Sequence, residues 1–165
     1  MGILSGNFKE EPLHYGEVFT IWSTALGNNA MIAGYQTLLN HVGDQDLKKL
    51  LEDAIQGLQD EKKALDKILK YNGVLLPPAP PERPYAKLEE IPVGARFQDP
   101  EIAAKLSLDV AARLVACSGA MGTSLREDVA MMYGQFHMNT AQFGAKVLKL
   151  NKEKGWVVPP PLHVF

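Results

Sequence analysis

The sequence predicts an all-α protein in which four helices form one bundle. Apolar residues recur at steps of three and four positions in four long segments, the spacing that places them on one side of a helix. Six prolines are concentrated between the second and third of these segments. A chain of 165 residues has the size of one domain with a substantial core. We therefore assign residues 1–165 to a single four-helix bundle.

The first helix is predicted at about residues 12–41 and the second at about 44–72. Asp44 follows a glycine and is a suitable N-cap for the second helix, while Gly73 is a suitable stop. The residues along the apolar side of the first helix are Ile21, Ala25, Asn28, Ile32, Tyr35 and Leu39. Those of the second helix are Leu47, Leu51, Ala54, Leu58, Leu65 and Ile68.

The third helix is predicted at 99–123, with Asp99 as its N-cap and Pro100 at its first helical position. Its residues are apolar nearly all round. The exceptions are Lys105, Asp109 and Arg113, which lie along one line of the helix. Because oppositely charged residues four positions apart commonly pair on a helix surface, we expect a solvated strip of charges there.

The fourth helix is predicted at 125–154. Ser124 and Glu127 have the spacing of a capping box at its start, and Gly155 ends it. Its apolar stripe consists of Val129, Tyr133, Phe136, Thr140, Phe143, Val147 and Leu150.

The proline-rich segment 73–98 connects the second and third helices. Proline fixes φ and lacks an amide donor, so we expect an extended chain rather than a helix. Such a segment can span about 70 Å at about 3.1 Å per residue, whereas a 28-residue helix is about 42 Å long. The segment can therefore run from one end of the bundle to the other. Two up-down hairpins joined by one long crossover form the ferritin-like arrangement.

Six stretches spread over nearly the whole chain carry a resemblance to known proteins. They are "HYGEVFTIWS", "YQTLLNHVGD", "PPAPPERP", "IPVGARFQDPEIAAKLS", "MGTSLREDVAMMYGQFHM" and "FGAKVLKLNKEKGWVVPPP". In these stretches the sequence resembles a family of uncharacterised proteins from spore-forming Firmicutes, a domain of unknown function whose members are sometimes labelled spore-coat-like. The resemblance implies a ferritin-like fold and brings no established activity or catalytic residue.

Composition and charge exclude several classes of partner. The formal net charge is −2 and no cluster of lysine and arginine is visible, which argues against nucleic acid. No apolar run approaches the roughly 20 residues that span a bilayer, and the N-terminus lacks the pattern of a secretory signal. The single cysteine, Cys117, lies in an apolar run where we expect a buried, inert thiol. We therefore expect a soluble, cytoplasmic protein without a nucleic-acid or membrane partner.

A bundle of this kind often holds two metal ions, through one Glu from each of two helices and a Glu-x-x-His from each of the others. The residue three positions before His137 is Gly134, and the second helix contains no histidine. We therefore expect no di-iron or di-manganese site, no catalytic residue and no cofactor. One alternative stays open, a single divalent ion held by His137, Glu61 and Asp109, with Asn28 nearby in the same polar layer.

The sequence is consistent with three functions. The first is a non-enzymatic structural or interaction protein related to sporulation or the spore coat, with spore-coat proteins as partners. The second is a metal-binding bundle with an oxidase or storage role at a mononuclear site. The third is a small-molecule binder that uses aromatic residues of the core.

The third helix also predicts a homodimer. A helix that is apolar all round is usually buried on more than one side, and a two-fold dimer buries one self-complementary patch. The residues that suggest this are Ile102, Ala103, Leu106, Leu108, Val110, Ala111, Leu114, Val115 and Met121.

Overall fold

The computed structural model describes residues 11–161 and His163. The described residues form four α-helices and two short 3-10 turns, with no β-strand among them. The helices are α1 (Tyr15–Leu39), α2 (Gln45–Tyr71), α3 (Asp99–Thr123) and α4 (Glu127–Glu153), and the turns are Leu88–Glu90 and Val93–Ala95. The predicted all-α class is thus confirmed for this part of the chain.

The helices pack as two hairpins, α1 against α2 and α3 against α4, with further contacts of α1 to α3 and of α2 to α4. Polar contacts show that neighbouring helices are antiparallel. Lys154, which follows α4, forms an ion pair of 2.7 Å with Asp44 at the start of α2. Glu17, in the first turn of α1, accepts a hydrogen bond from the backbone amide of Leu125, just after the end of α3. Each helix therefore has two antiparallel neighbours.

A polar layer divides the core into two apolar halves. One half is formed by residues such as Leu51, Leu106 and Val147, and the other by residues such as Leu65 and Val129. At the level between them each helix contributes a polar residue. These residues are Asn28 of α1, Glu61 of α2, Arg113 of α3 and Thr140 of α4.

The segment that connects α2 to α3 lies along α1. Polar side chains of α1 bind its backbone, which has few internal hydrogen bonds because of its prolines. Trp22 donates to the carbonyl of Leu75 and Asn40 donates to the carbonyl of Pro84. Eighteen residues of helix advance about 27 Å, and nine residues of polyproline-like chain advance about 28 Å. The helix and the connecting segment therefore advance by nearly the same distance between these two contacts.

The predicted caps of α3 and α4 differ from those in the structure. Asp44 caps α2 as predicted, but the N-cap of α3 is Gln98, which forms a capping box with Glu101. Asp99 lies inside the helix and accepts from the amide of Gly43 instead.

The predicted capping box of α4 is wrong. Ser124 donates to the carbonyl of Ala120, at the end of α3, so its hydroxyl is directed away from α4. A buried carboxylate from α1 takes its place, since Glu17 accepts from the amides of both Leu125 and Arg126 at 2.8 Å. A charged acceptor at a helix start is stronger than a neutral hydroxyl.

None of the four described helices combines the length and apolarity needed to cross a bilayer.

Candidate functional site: a buried polar layer and an apolar outer face

The centre of the polar layer is a closed triangle of three side chains from three helices. Glu61 forms an ion pair with Arg113 and accepts a hydrogen bond of 3.2 Å from Asn28. Arg113 in turn donates to the side-chain oxygen of Asn28 at 2.9 Å. Glu61 is 8% exposed and Asn28 1%. The charges of Glu61 and Arg113 therefore compensate each other inside the bundle.

A second network begins one helical turn before Arg113. Tyr35 of α1 donates to Asp109 at 2.8 Å, and Lys105 donates to both oxygens of the same carboxylate. Burial raises the pKa of the Tyr35 hydroxyl far above its ordinary value, and the neighbouring Asp109 raises it further. The hydroxyl therefore keeps its proton and remains a donor at any physiological pH.

These contacts correct the expectation of a solvated charge strip on α3. Lys105 and Asp109 do pair at the spacing of four residues, but Arg113 turns into the bundle and pairs with Glu61. The side chain of Arg113 is only 17% exposed. Local spacing could not reveal this partner, because Glu61 lies 52 residues away in the sequence.

The three candidate metal ligands occupy different places. Glu61 contacts Asn28, as the sequence suggested, but its second partner is Arg113. Asp109 belongs to the network of Tyr35 and Lys105. His137 is half-buried on α4. Over residues 11–161 and His163, no group of three or more His, Cys, Asp or Glu side chains is arranged to hold a metal ion.

The hairpin of α3 and α4 has an apolar outer face on its solvent side. Several large side chains on it are strongly exposed, with Leu108 at 72%, Val115 and Met131 at 75%, Met138 at 55% and Leu148 at 50%. We define the outer face as Leu108, Ala111, Val115 and Gly122 of α3 together with Met131, Met138, Ala141, Ala145 and Leu148 of α4.

The two stripes join into one surface because α3 and α4 approach closely. A Cβ at Gly144 would lie 2.7 Å from Cγ1 of Val110, so a larger residue there would require that methyl group to move. Ala111 and Ala145 each follow one of these two residues, about 100° further round their helices, and both are exposed. They therefore lie side by side on the solvent side of the contact.

The residues of the outer face are uncharged, and on α4 the adjoining charges lie at its two ends, with Glu127 four residues before Met131 and Lys149 directly after Leu148. No Lys, Arg, Asp or Glu occurs in residues 114–125 or 129–145. The charged residues nearest to Leu108 and Val115, Asp109 and Arg113, contact residues of α1. A solvated helix surface normally carries charged residues, and an uncharged patch of this extent is typical of a contact surface.

The sequence identified this surface only in part. Ile102, Ala103 and Leu106 were among its expected members, but all three are buried inside the bundle. Leu108 and Val115 are exposed. The methionines of α4 were missed because the core stripe of that helix was the stronger pattern. Their spacing of seven residues, from Met131 to Met138, was the available signal.

The family model described as "Protein of unknown function (DUF3231)" matches residues 1–165. The chain belongs to the DUF3231 family. The uncharacterized protein YvdQ of Bacillus subtilis is 60% identical over 164 residues, which cover 99% of this chain and 96% of YvdQ.

Two solved structures are similar to this DUF3231 chain. A protein of Bacillus halodurans described as a "putative spore coat protein" is 59% identical, with a TM-score of 0.94, and the match covers 95% of this chain and 99% of that protein. A conserved hypothetical protein of Mycobacterium tuberculosis is 12% identical, with a TM-score of 0.66, and the match covers 83% and 98% of the two chains. The second likeness shows a shared fold alone.

Proposed function

We propose that this protein is a non-enzymatic interaction module of ferritin-like arrangement that forms a homodimer through the outer face and acts in the spore coat or its assembly. The observation that carries the proposal is the uncharged outer face with its exposed Leu108, Val115 and Met138. Exposed apolar area in contact with water is unfavourable, and its burial supplies the free energy of association.

The outer face is close in size to the smaller stable interfaces. From Met131 to Leu148 it extends about 26 Å along α4, and two helices packed about 10 Å apart present a face about 20 Å wide. The flat projection is thus about 520 Å² per protomer, and the accessible area of protruding side chains is larger. Stable interfaces bury about 600–1,000 Å² per partner.

The spacing on both helices suits helix-on-helix packing with a second copy. Leu108, Val115 and Gly122 are seven residues apart on α3, as are Met131, Met138 and Ala145 on α4. A seven-residue repeat keeps a stripe facing one partner along the whole helix. Since the face has no charge, its meeting with a copy of itself brings no like charges together.

The polar layer supports a structural role rather than a catalytic one. The carboxylate of Glu61 is held by Arg113 and Asn28, and that of Asp109 by Tyr35 and Lys105. Binding a metal ion would require both carboxylates to exchange these partners. The layer is therefore best explained as a device that fixes the register of the four helices.

The link to the spore coat rests on similarity. The relative from Bacillus halodurans that is described as a "putative spore coat protein" shares 59% of its residues with this chain. A self-associating helical unit is the kind of component that a protein layer requires, which is why we assign the same role here.

The outer face can be tested by placing a charge in it. We expect Val115→Glu and Met138→Glu each to convert a dimer to a monomer in light scattering, since an unpaired carboxylate would be buried at the contact. Phe19→Glu is the matched control, because Phe19 is also an exposed apolar residue, at 70%, but lies on α1. Dissociation by the control as well, or an unchanged mass of both face variants, would contradict the proposed interface.

Metal analysis separates the structural role from the metal-binding alternative. Protein purified without a chelating tag should contain far less than one equivalent of any divalent metal. One tightly bound equivalent that is lost on His137→Ala would favour the mononuclear site instead.

A further inference from the structure

A cavity of about 430 Å³ lies between α2 and α4 and reaches the polar layer. It is bounded by residues from all four helices. Leu58, Val110 and Phe143 supply apolar walls, and Glu61 and Arg113 lie at its inner end. This cavity is separate from the outer face, because Phe143 belongs to the inward stripe of α4 and partly packs against the core.

Small residues on α2 leave this space unfilled. Ala54 is buried, in a helix whose core residues are mostly leucine, and Gly57 lines the cavity from an exposed position of the same helix. A Cβ placed on Gly57 would meet no atom within 4 Å. A glycine in a helix interior costs stability relative to alanine. Gly57 therefore leaves this side of the cavity open at some cost to the stability of α2.

The charges around the cavity cancel. Two acidic residues, Glu61 and Asp53, and two basic residues, Arg113 and Lys146, line it. They form two pairs, Arg113 with Glu61 at the inner end and Lys146 with Asp53, at 3.8 Å, at the mouth. The remaining polar residues of the lining are neutral and include Gln56, Asn139 and Gln142. A charged ligand would compete with one of these pairs for its partner, whereas a neutral one would not.

We propose that this cavity binds an uncharged, mainly apolar small molecule with one hydroxyl or amide group. The apolar part contacts Leu58, Val110 and Phe143, and the polar group lies beside Arg113 and Glu61, which offer a donor and an acceptor together. The volume falls in the range of small-molecule sites. Eight of the fifteen lining residues are polar, but most of the surface exposed to the cavity is apolar, as is usual for such sites. This inference does not depend on the homodimer.

A matched set of three fluorinated fragments tests both the site and the class of ligand. The probes are 4-fluorobenzyl alcohol, 4-fluorobenzoate and 4-fluorobenzylamine, which share one ring and differ in the charge of the head group. Fluorine NMR titrations at about millimolar concentrations are appropriate, because fragments of this size bind weakly. We expect saturable binding of the alcohol and at least tenfold weaker binding of the anion and the cation.

Substitutions at glycine locate the site. Gly57→Ala should weaken binding of the alcohol and Gly57→Leu should abolish it, because the new side chain extends into the cavity. Gly27→Leu is the matched control, since Gly27 is another helical glycine whose Cβ would meet nothing within 4 Å, but it does not line this cavity. A thermal melt of each variant checks its folding, and Gly57→Ala keeps the test valid if the leucine variant does not fold.

Three results would overturn the proposal. The first is the absence of saturable binding by the alcohol to the wild-type protein. The second is binding that survives Gly57→Leu in a folded variant or is lost equally in Gly27→Leu. The third is tighter binding of the benzoate or the benzylamine than of the alcohol.

Discussion

Removal of the carboxylate from the polar layer should reveal how that layer stabilises the bundle. In Glu61→Leu, the guanidinium of Arg113 stays inside the protein without its ion-pair partner. The side-chain amide of Asn28, which is 1% exposed, loses its acceptor at the same time. We therefore expect a large loss of stability from Glu61→Leu alone, and a recovery of stability when Arg113 and Asn28 are also replaced by apolar residues.

The structure sets the size of each step. Loss of one partner of a buried ion pair costs about 3–5 kcal/mol, and we expect about 3 kcal/mol because Arg113 can reach water through the cavity that it lines. The double variant Glu61→Leu with Arg113→Met removes both charges and leaves only Asn28 unsatisfied, which should cost about 1–3 kcal/mol of stability. Adding Asn28→Leu removes the last polar member of the triangle, so the triple variant should lie within about 1 kcal/mol of the wild type.

Urea unfolding followed by circular dichroism measures these free energies. All variants are compared at one protein concentration, because association of the native protein adds to its apparent stability. Asp60→Ala is the control, since Asp60 forms an ion pair with Lys63 on the exposed side of α2 and exposed pairs contribute little. A Glu61→Leu variant that is no less stable than this control, or a triple variant that is no more stable than the single one, would contradict this role of the polar layer.

Three further predictions concern other parts of the molecule. In Lys154→Gln, the stability lost relative to wild type should be greatest between about pH 5 and pH 10. The hydrogen bond from Lys154 lowers the pKa of Asp44, so the stabilisation by this ion pair is lost as the pH falls through that lowered value. The bonds to Asp44 and Asp46 raise the pKa of Lys154, so the stabilisation is also lost as the pH rises through the raised value. A pH-independent difference in urea midpoints would contradict this. Glu17→Ala should cost about 2 kcal/mol and speed amide hydrogen exchange at Leu125 and Arg126, whose amides donate to Glu17, whereas the exposed Glu52→Ala should change neither. Cys117 should react with a thiol reagent only on unfolding, because it is buried and burial raises the pKa of its thiol; rapid stoichiometric labelling of the native protein would show this to be wrong.

The features that were predictable from the sequence are those that depend on neighbouring residues. The helical class follows from apolar spacing within each segment, and Asp44 caps α2 through the amides of Asp46 and Leu47, two and three residues away. Apolar spacing and this cap both involve residues that are close together in the sequence, so a sequence pattern can reveal them.

The features that the sequence did not reveal join distant segments. Glu17 caps α4 across 108 residues of sequence, and the local Ser124 pattern suggested a different cap. Arg113 binds Asn28 across 85 residues, although its own helix suggested a solvated strip. The cavity depends on which small residues of α2 face α4, and that requires the packing of the helices to be known.

Sedimentation equilibrium of the wild-type protein tests the central claim, that the outer face joins two copies of the chain. We expect a species of about 36 kDa, twice the 18.1 kDa of one chain, at tens of micromolar protein. Its mass should change little with ionic strength because the residues of the face are uncharged. A single species at the mass of one chain over the whole concentration range would contradict it.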